Sequence, residues 1–173
     1  MLGSFDLQDP PRAPKGAAGI AVRPEVFLYP AWSGTGLLCD AFGIPKERYE
    51  LRGAGRTDDD GTIVIEYESG FDSGIVNTYV WAFRKEPGDL LYAYDRRNAL
   101  EAKGRMTADG WRWAFFAVGH TPFGRRRCRV EVVYRVVSPH EATSAVTLSM
   151  FGVTVATGST HIKHVSAIDS KAA

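Results

Sequence analysis

The stretch Asp109-Gly110-Trp111-Arg112-Trp113-Ala114-Phe115 decides the fold. Asp-Gly is the strongest short hairpin signal, because a tight type I′ turn needs φ > 0 at both central residues. The residues after this turn alternate with period two, so Trp111, Trp113 and Phe115 share one face of a strand reaching Val118.

The same unit of turn and strand recurs in both directions. Upstream, Val76–Lys85 places Tyr79, Trp81 and Phe83 on one face, and Glu86-Pro87-Gly88-Asp89 reverses the chain into Leu90–Asp95. Earlier still, Trp32–Phe42 is a glycine-punctuated strand and Arg48–Thr57 the next, with Tyr49 and Leu51 on one face. Asp58-Asp59-Asp60-Gly61 makes a turn, after which Ile63, Ile65 and Tyr67 alternate with Val64, Glu66 and Glu68. Downstream, Thr121–Arg125 reads as a loop and Arg127–Val137 as a long strand with Val130, Val132, Tyr134 and Val136 on one face. Ser138-Pro139-His140-Glu141 turns the chain into Ala145–Phe151 and Val153–Lys163. Ala99–Met106 reads as a strand, although Asp95–Met106 holds helix formers enough for one helical turn; Gly104 opposes more.

This gives about nine or ten strands spaced by about 8–12 residues, with no long helix. Short connections join spatial neighbours, so a meander closed on itself fits better than a Greek key, and closure removes exposed edges. The expected fold is all-β: a single antiparallel up-and-down barrel. Residues 1–22, rich in Pro, Gly and Ala, read as a flexible N-terminal arm, with structure beginning near Val26–Tyr29. Residues 23–166 form the barrel, and 167–173 read as a frayed C-terminus.

Composition excludes several function classes. At 173 residues, 45% hydrophobic and 24% charged, the chain is ordinary globular material. Its 21 basic and 20 acidic side chains leave a net charge of +1, which gives no general pull toward nucleic acid. No apolar run approaches the ~20 residues of a membrane span. The beginning has no basic region followed by an apolar run, so the expected location is cytoplasmic. Cys39 and Cys128 lack metal-site spacing and read as buried thiols.

The candidate site is aromatic. Tyr79, Trp81, Phe83, Trp111, Trp113 and Phe115, joined by Tyr92 and Tyr134, either line an apolar cavity or pack a filled barrel. His161 and His164 lie three positions apart, which on a strand sends them to opposite faces, so no metal site is expected. His120 could serve as a general base at a barrel mouth, but a solvated loop histidine is the plainer reading. Arg125, Arg126, Arg127 and Arg129 are divided between faces by the pleat and read as a solvated edge. Gly34-Thr35-Gly36 and Gly53-Ala54-Gly55 lack the strand-to-helix context of a phosphate loop; they read as bends and bulges of a curving sheet. Among the carboxylates Glu66, Glu68, Asp95, Glu101 and Glu131, Asp95 alone follows an apolar face, through Leu91 and Ala93.

A family pattern is also present. Pro24-Glu25-Val26-Phe27, Trp32-Ser33-Gly34-Thr35-Gly36, Asp40-Ala41-Phe42-Gly43 and Arg48 to Gly53 resemble the opening of a bacterial family of lipocalin-like proteins of unassigned function. Tyr79-Val80-Trp81, Tyr92, Gly104 and Trp111–Phe115 fall where that family has its tryptophan strand and small-residue strand, and Met150-Phe151-Gly152-Val153 resembles its "K-F-G" strand. The expected departures are the absence of the lipoprotein signal that the family often carries and the replacement of its acidic "D-D-W" strand by Val132-Val133-Tyr134-Arg135. The resemblance implies a calycin-type barrel and supplies no activity and no catalytic residues.

The expected function is binding of a small hydrophobic molecule in the cavity, as a carrier or sensor, without a cofactor. One rival is a small barrel enzyme of cyclase or isomerase type, whose polar groups would come from Tyr79, Asp95, Tyr134 and Arg135. The other is a homodimeric structural module, joined through the Arg127–Val137 faces.

Overall fold

The computed structural model describes residues 22–121 and 124–165. The arm, except for Val22, and the frayed C-terminus lie outside the described residues, as does the His120 side chain. A short helix, α1 (Pro24–Phe27), precedes ten strands: β1 (Trp32–Asp40), β2 (Pro45–Thr57), β3 (Ile63–Phe71), β4 (Val76–Arg84), β5 (Leu90–Asp95), β6 (Leu100–Thr107), β7 (Gly110–Thr121), β8 (Gly124–Ser138), β9 (Glu141–Met150) and β10 (Val153–His164). Each strand pairs antiparallel with its neighbours in sequence, and β1 pairs with β10 to close the barrel. The molecule is therefore an all-β, up-and-down barrel.

Three local expectations are corrected. The segment Thr121–Arg125 is mostly strand: β7 and β8 stay paired out to Thr121 and Gly124. The helix formers before Met106 do not form a helical turn. The Leu100–Thr107 strand is held between β5 and β7, and tertiary pairing outweighs local propensity. The paired glycines act as space-makers. Gly53 lies between Trp32 and Tyr67 across β1, β2 and β3, and a Cβ there would come within 2.6 Å of both side chains. A Cβ at Gly36 would lie 2.3 Å from the Tyr49 ring. The β1–β2 register shift falls instead between Leu38 and Cys39.

The ladder settles which faces point inward. Trp32, Gly53, Tyr67 and Tyr79 are directly opposed across four strands, as are Ile65 with Trp81 and Trp113 with Val132. Trp81, Trp111, Ile65 and Ile162 are fully buried in the resulting core. α1 closes one end of the barrel. Pro24 begins it with a φ already suited to a helix, and Phe27 packs at ring-centroid distances of 5.9 Å from Trp111 and 4.7 Å from His164. The Trp32 indole N–H donates to the Leu28 carbonyl at 3.1 Å, and the Gly55 N–H to the Tyr29 carbonyl at 2.8 Å. These bonds tie the segment across the barrel floor. The turns between β1 and β2, β3 and β4, and β9 and β10 lie at the opposite end.

Candidate functional site

The barrel interior is a continuous aromatic stack. Tyr67 stacks on Tyr79 at 5.0 Å, Tyr79 lies parallel to Trp81 at 6.2 Å, and Trp81 meets Trp113 at 5.5 Å and Phe115 at 5.1 Å. Trp113 stacks on Phe83, while Tyr134 stacks on Trp111 at 4.6 Å and meets Trp113 edge-on. Period-two alternation on β3, β4, β7 and β8 delivers these rings to one face, and closure brings the four faces together. Phe83 and Trp111 pack the half of the barrel near α1, and Phe115 lies beyond Trp113 from that end along β7. Toward the other end the inward residues Leu51, Tyr67, Tyr79 and Val146 keep partial exposure.

Of the eight expected site residues, seven therefore face inward. Tyr92 does not. Its strand neighbours Arg84 and Lys103 are exposed on the outer wall, and the Arg84 guanidinium sits 4.0 Å from its ring centroid. Tyr49 and Tyr67 join the inward set. The alternations Tyr49, Leu51 and Ile63, Ile65, Tyr67 mark their faces in the sequence but do not say which face is inside.

The polar groups of this interior are phenols, indole N–H groups and the buried hydroxyls of Ser144 and Thr160, which face inward beside Tyr134. Burial raises the pKa of Tyr67 well above the usual tyrosine value, with the hydroxyls of Tyr134 and Tyr79 adding to the rise. Burial likewise raises Tyr134, helped by Tyr49, and raises Tyr79, helped by the Asp95 carboxylate. It also raises Tyr49, against the opposing hydrogen bond with Thr160. These phenols remain protonated at neutral pH and can donate. Tyr49 uses its hydroxyl on Thr160 Oγ1 at 2.7 Å. Among the described residues, the buried indole N–H groups of Trp111 and Trp113 have no acceptor. The Trp81 N–H leans toward the Tyr67 oxygen but completes no hydrogen bond. A buried donor left unsatisfied costs about 1–3 kcal/mol, so three in one core require an explanation.

The candidate acid–base residues separate cleanly. Asp95 is fully buried, but its oxygens accept hydrogen bonds from the Val80 N–H (3.0 Å), the Arg97 N–H (3.0 Å) and Asn98 Nδ2 (2.6 Å). It fastens the 96–99 turn to β4, beyond the four residues over which β4 and β5 pair. Arg135 points outward toward Asp109. His161 lies outside near Glu141, whereas the His164 ring accompanies Trp32 inward, with Nε2 2.8 Å from the Phe27 carbonyl. Among the described residues, no group of three or more His, Cys, Asp or Glu could hold a metal ion. Cys128 is buried and Cys39 half-buried, and neither forms a disulfide. On the outer wall, β6 and β7 pair only as far as Lys103 and Ala114 and then part. A groove of about 650 Å³ lies there, bordered by Leu90, Phe116, Arg105 and Arg112 and reaching Trp113 and Phe115.

No family model and no curated protein matches this chain. Solved structures do. The S-type phycobiliprotein lyase CPES from Guillardia theta is 9% identical, with 83% of this chain and 91% of that chain covered at a TM-score of 0.60. A protein of unknown function from the DUF3598 family, from Nostoc punctiforme, is 12% identical over 86% of this chain at a TM-score of 0.58. This chain spans about half its length, 51%. A redesigned β-barrel, mFAP1, bound to DFHBI, covers 80% of this chain at 15% identity, but its TM-score of 0.39 is too low to carry weight. Likeness at such identities establishes the shared barrel fold alone. No described helix is long and apolar enough to cross a membrane.

Proposed function

We propose that the chain is a calycin-type barrel that binds one small, flat, largely apolar molecule carrying hydrogen-bond acceptors, as a carrier or sensor. The ligand lies in the half of the interior away from α1. Tyr67, Tyr79 and Tyr134 form its walls, and Trp81 and Trp113 its base. Phe83 and Trp111 support that base from below, and Phe115 flanks Trp81 at 5.1 Å. The observation carrying this reading is the three buried indole N–H groups of Trp81, Trp111 and Trp113 that complete no hydrogen bond, in an interior shared with neutral phenols. A carbonyl or ether oxygen entering this space would satisfy them, and the stacked rings would take up a planar apolar body.

The test is a calorimetric titration with 2-methyl-1,4-naphthoquinone beside 2-methylnaphthalene, which shares its shape but has no acceptor. The reading expects one equivalent of the quinone to bind and the hydrocarbon to bind about tenfold more weakly, the scale of one or two hydrogen bonds. Absence of binding by either compound, and by wider panels of planar carbonyl compounds, would remove the reading.

The same donors support a second reading, an enzyme of cyclase or isomerase type in which Tyr79 and Tyr134 hold a carbonyl as negative charge develops on it. A structural relative that is a lyase gives the architecture a precedent for chemistry. Asp95 is not part of that proposal, because its oxygens are occupied by the Val80 N–H and the 96–99 turn.

A further inference from the structure

At the end away from α1, two adjacent hairpin tips hold phenylalanines in water. Phe42, in the β1–β2 turn, is 90% exposed, and Phe151, in the β9–β10 turn, is 100% exposed. β1 and β10 are paired, so the two tips are neighbours on the rim. Ile44, Val76 and Val153 on the same rim are each more than half exposed.

Phe151 is also strained. Its φ is 50° and that of Gly152 is 80°, the left-handed pair of a tight hairpin turn that Asn-Gly would occupy without penalty. A bulky side chain at positive φ costs stability, and this one makes no compensating packing contact. Nothing in the fold accounts for a phenylalanine there.

A second observation concerns charge. Arg125, Arg126 and Arg127 open β8 at the same end and are all exposed. Among the described residues none of the three forms an ion pair, and the Arg127 guanidinium lies 5.4 Å from the exposed Phe116 ring. Single exposed hydrophobics need no explanation. Adjacent aromatic tips with aliphatic neighbours, on a rim that also carries cations, are what an anionic lipid interface recognises: apolar groups to insert and guanidiniums for headgroups.

We propose that this rim docks on anionic lipid bilayers, with Phe42 and Phe151 inserting into the interface. The barrel does not span the membrane, since its outer wall carries exposed Arg52, Glu66, Glu101 and Lys103. Docking does not depend on the ligand reading, although it would bring the candidate binding half of the interior toward the lipid.

The test is co-sedimentation of the full chain with extruded phosphatidylcholine vesicles, with and without phosphatidylglycerol. Binding is expected to the anionic vesicles and to fall at least tenfold on neutral ones. F42S and F151N should each weaken it about tenfold, and the pair should abolish it. The R125Q/R126Q/R127Q variant should bind anionic vesicles no better than neutral ones. F151N carries its own folding control: asparagine tolerates the left-handed turn, so its Tm should rise by about 2–4 °C while vesicle binding falls. Failure of the wild-type chain to bind either vesicle would overturn the proposal, as would unchanged binding by F42S/F151N. So would light scattering that shows these substitutions splitting a dimer, since the rim would then be a protein interface.

Discussion

Replacing Asp95 with alanine should cost the barrel a large part of its stability without involving the ligand. The carboxylate receives three hydrogen bonds, from the Val80 and Arg97 N–H groups and from Asn98 Nδ2, and is wholly shielded from water. Hydrogen bonds to a charged group contribute about 1.5–3 kcal/mol each. Arg97 and Asn98 are exposed and can recover water, so most of the loss falls on Val80, on the cavity left behind and on the freed 96–99 turn. The expected total is about 3 kcal/mol, against a typical stability of about 5–15 kcal/mol. For a domain of this size that lowers Tm by about 6–12 °C. Asp95→Asn should cost about half as much: one oxygen still serves the two backbone donors, but the new amide faces the donor on Asn98. Urea unfolding followed by circular dichroism would measure both. A loss below about 1 kcal/mol for D95A, or a larger loss for D95N than for D95A, would refute the argument that this carboxylate is an anchor.

Three further outcomes rest on the same core. Burial raises the pKa values of Tyr49, Tyr67, Tyr79 and Tyr134. The associated stability is intact below the unfolded tyrosine pKa near 10 and is lost as pH rises above it. Phenolate absorbance from these residues should therefore appear together with loss of the β circular dichroism signal, and early ionisation within a folded barrel would contradict this. Phe27→Ala should cost about 3–5 kcal/mol and open Trp111 to acrylamide quenching, because Phe27 is 2% exposed and covers that indole. Gly36→Ala should destabilise by about 1–3 kcal/mol in urea, since its methyl group needs the space of the Tyr49 ring and would break the Tyr49–Thr160 hydrogen bond.

Much of this architecture is legible in local pattern. The hairpin expected at Asp109-Gly110 is present, but its turn residues are Ala108 and Asp109. Neither Asp109 nor Gly110 has a positive φ, and Gly110 already pairs with Thr107. The alternation Trp111, Trp113, Phe115 marks the ring-bearing face of β7. Up-and-down order comes from turns too short to do anything but join neighbours. What local pattern cannot supply is side. Tyr92 reads like Tyr79, yet the β5 register puts it on the outer wall, because a strand shows two equivalent faces until its partners are known. The glycines fail for a related reason: the rings of Trp32, Tyr49 and Tyr67 that need the space come from other parts of the fold. α1 is only four residues long, too short for periodicity to reveal. The burial of Asp95 is foreshadowed by Leu91 and Ala93, but the donors that occupy it come from the turn it holds and from Val80 on β4.

The central claim is that the donors inside this barrel await an acceptor-bearing ligand, and the indole N–H resonances report on it directly. In a ¹⁵N-labelled sample the four tryptophans give four indole signals. Titration with 2-methyl-1,4-naphthoquinone should shift those of Trp81 and Trp113 saturably at one equivalent. The Trp32 signal, already bonded to the Leu28 carbonyl, should stay in place. If Trp81 and Trp113 do not move at saturating quinone, the interior is a filled core and the binding account is wrong.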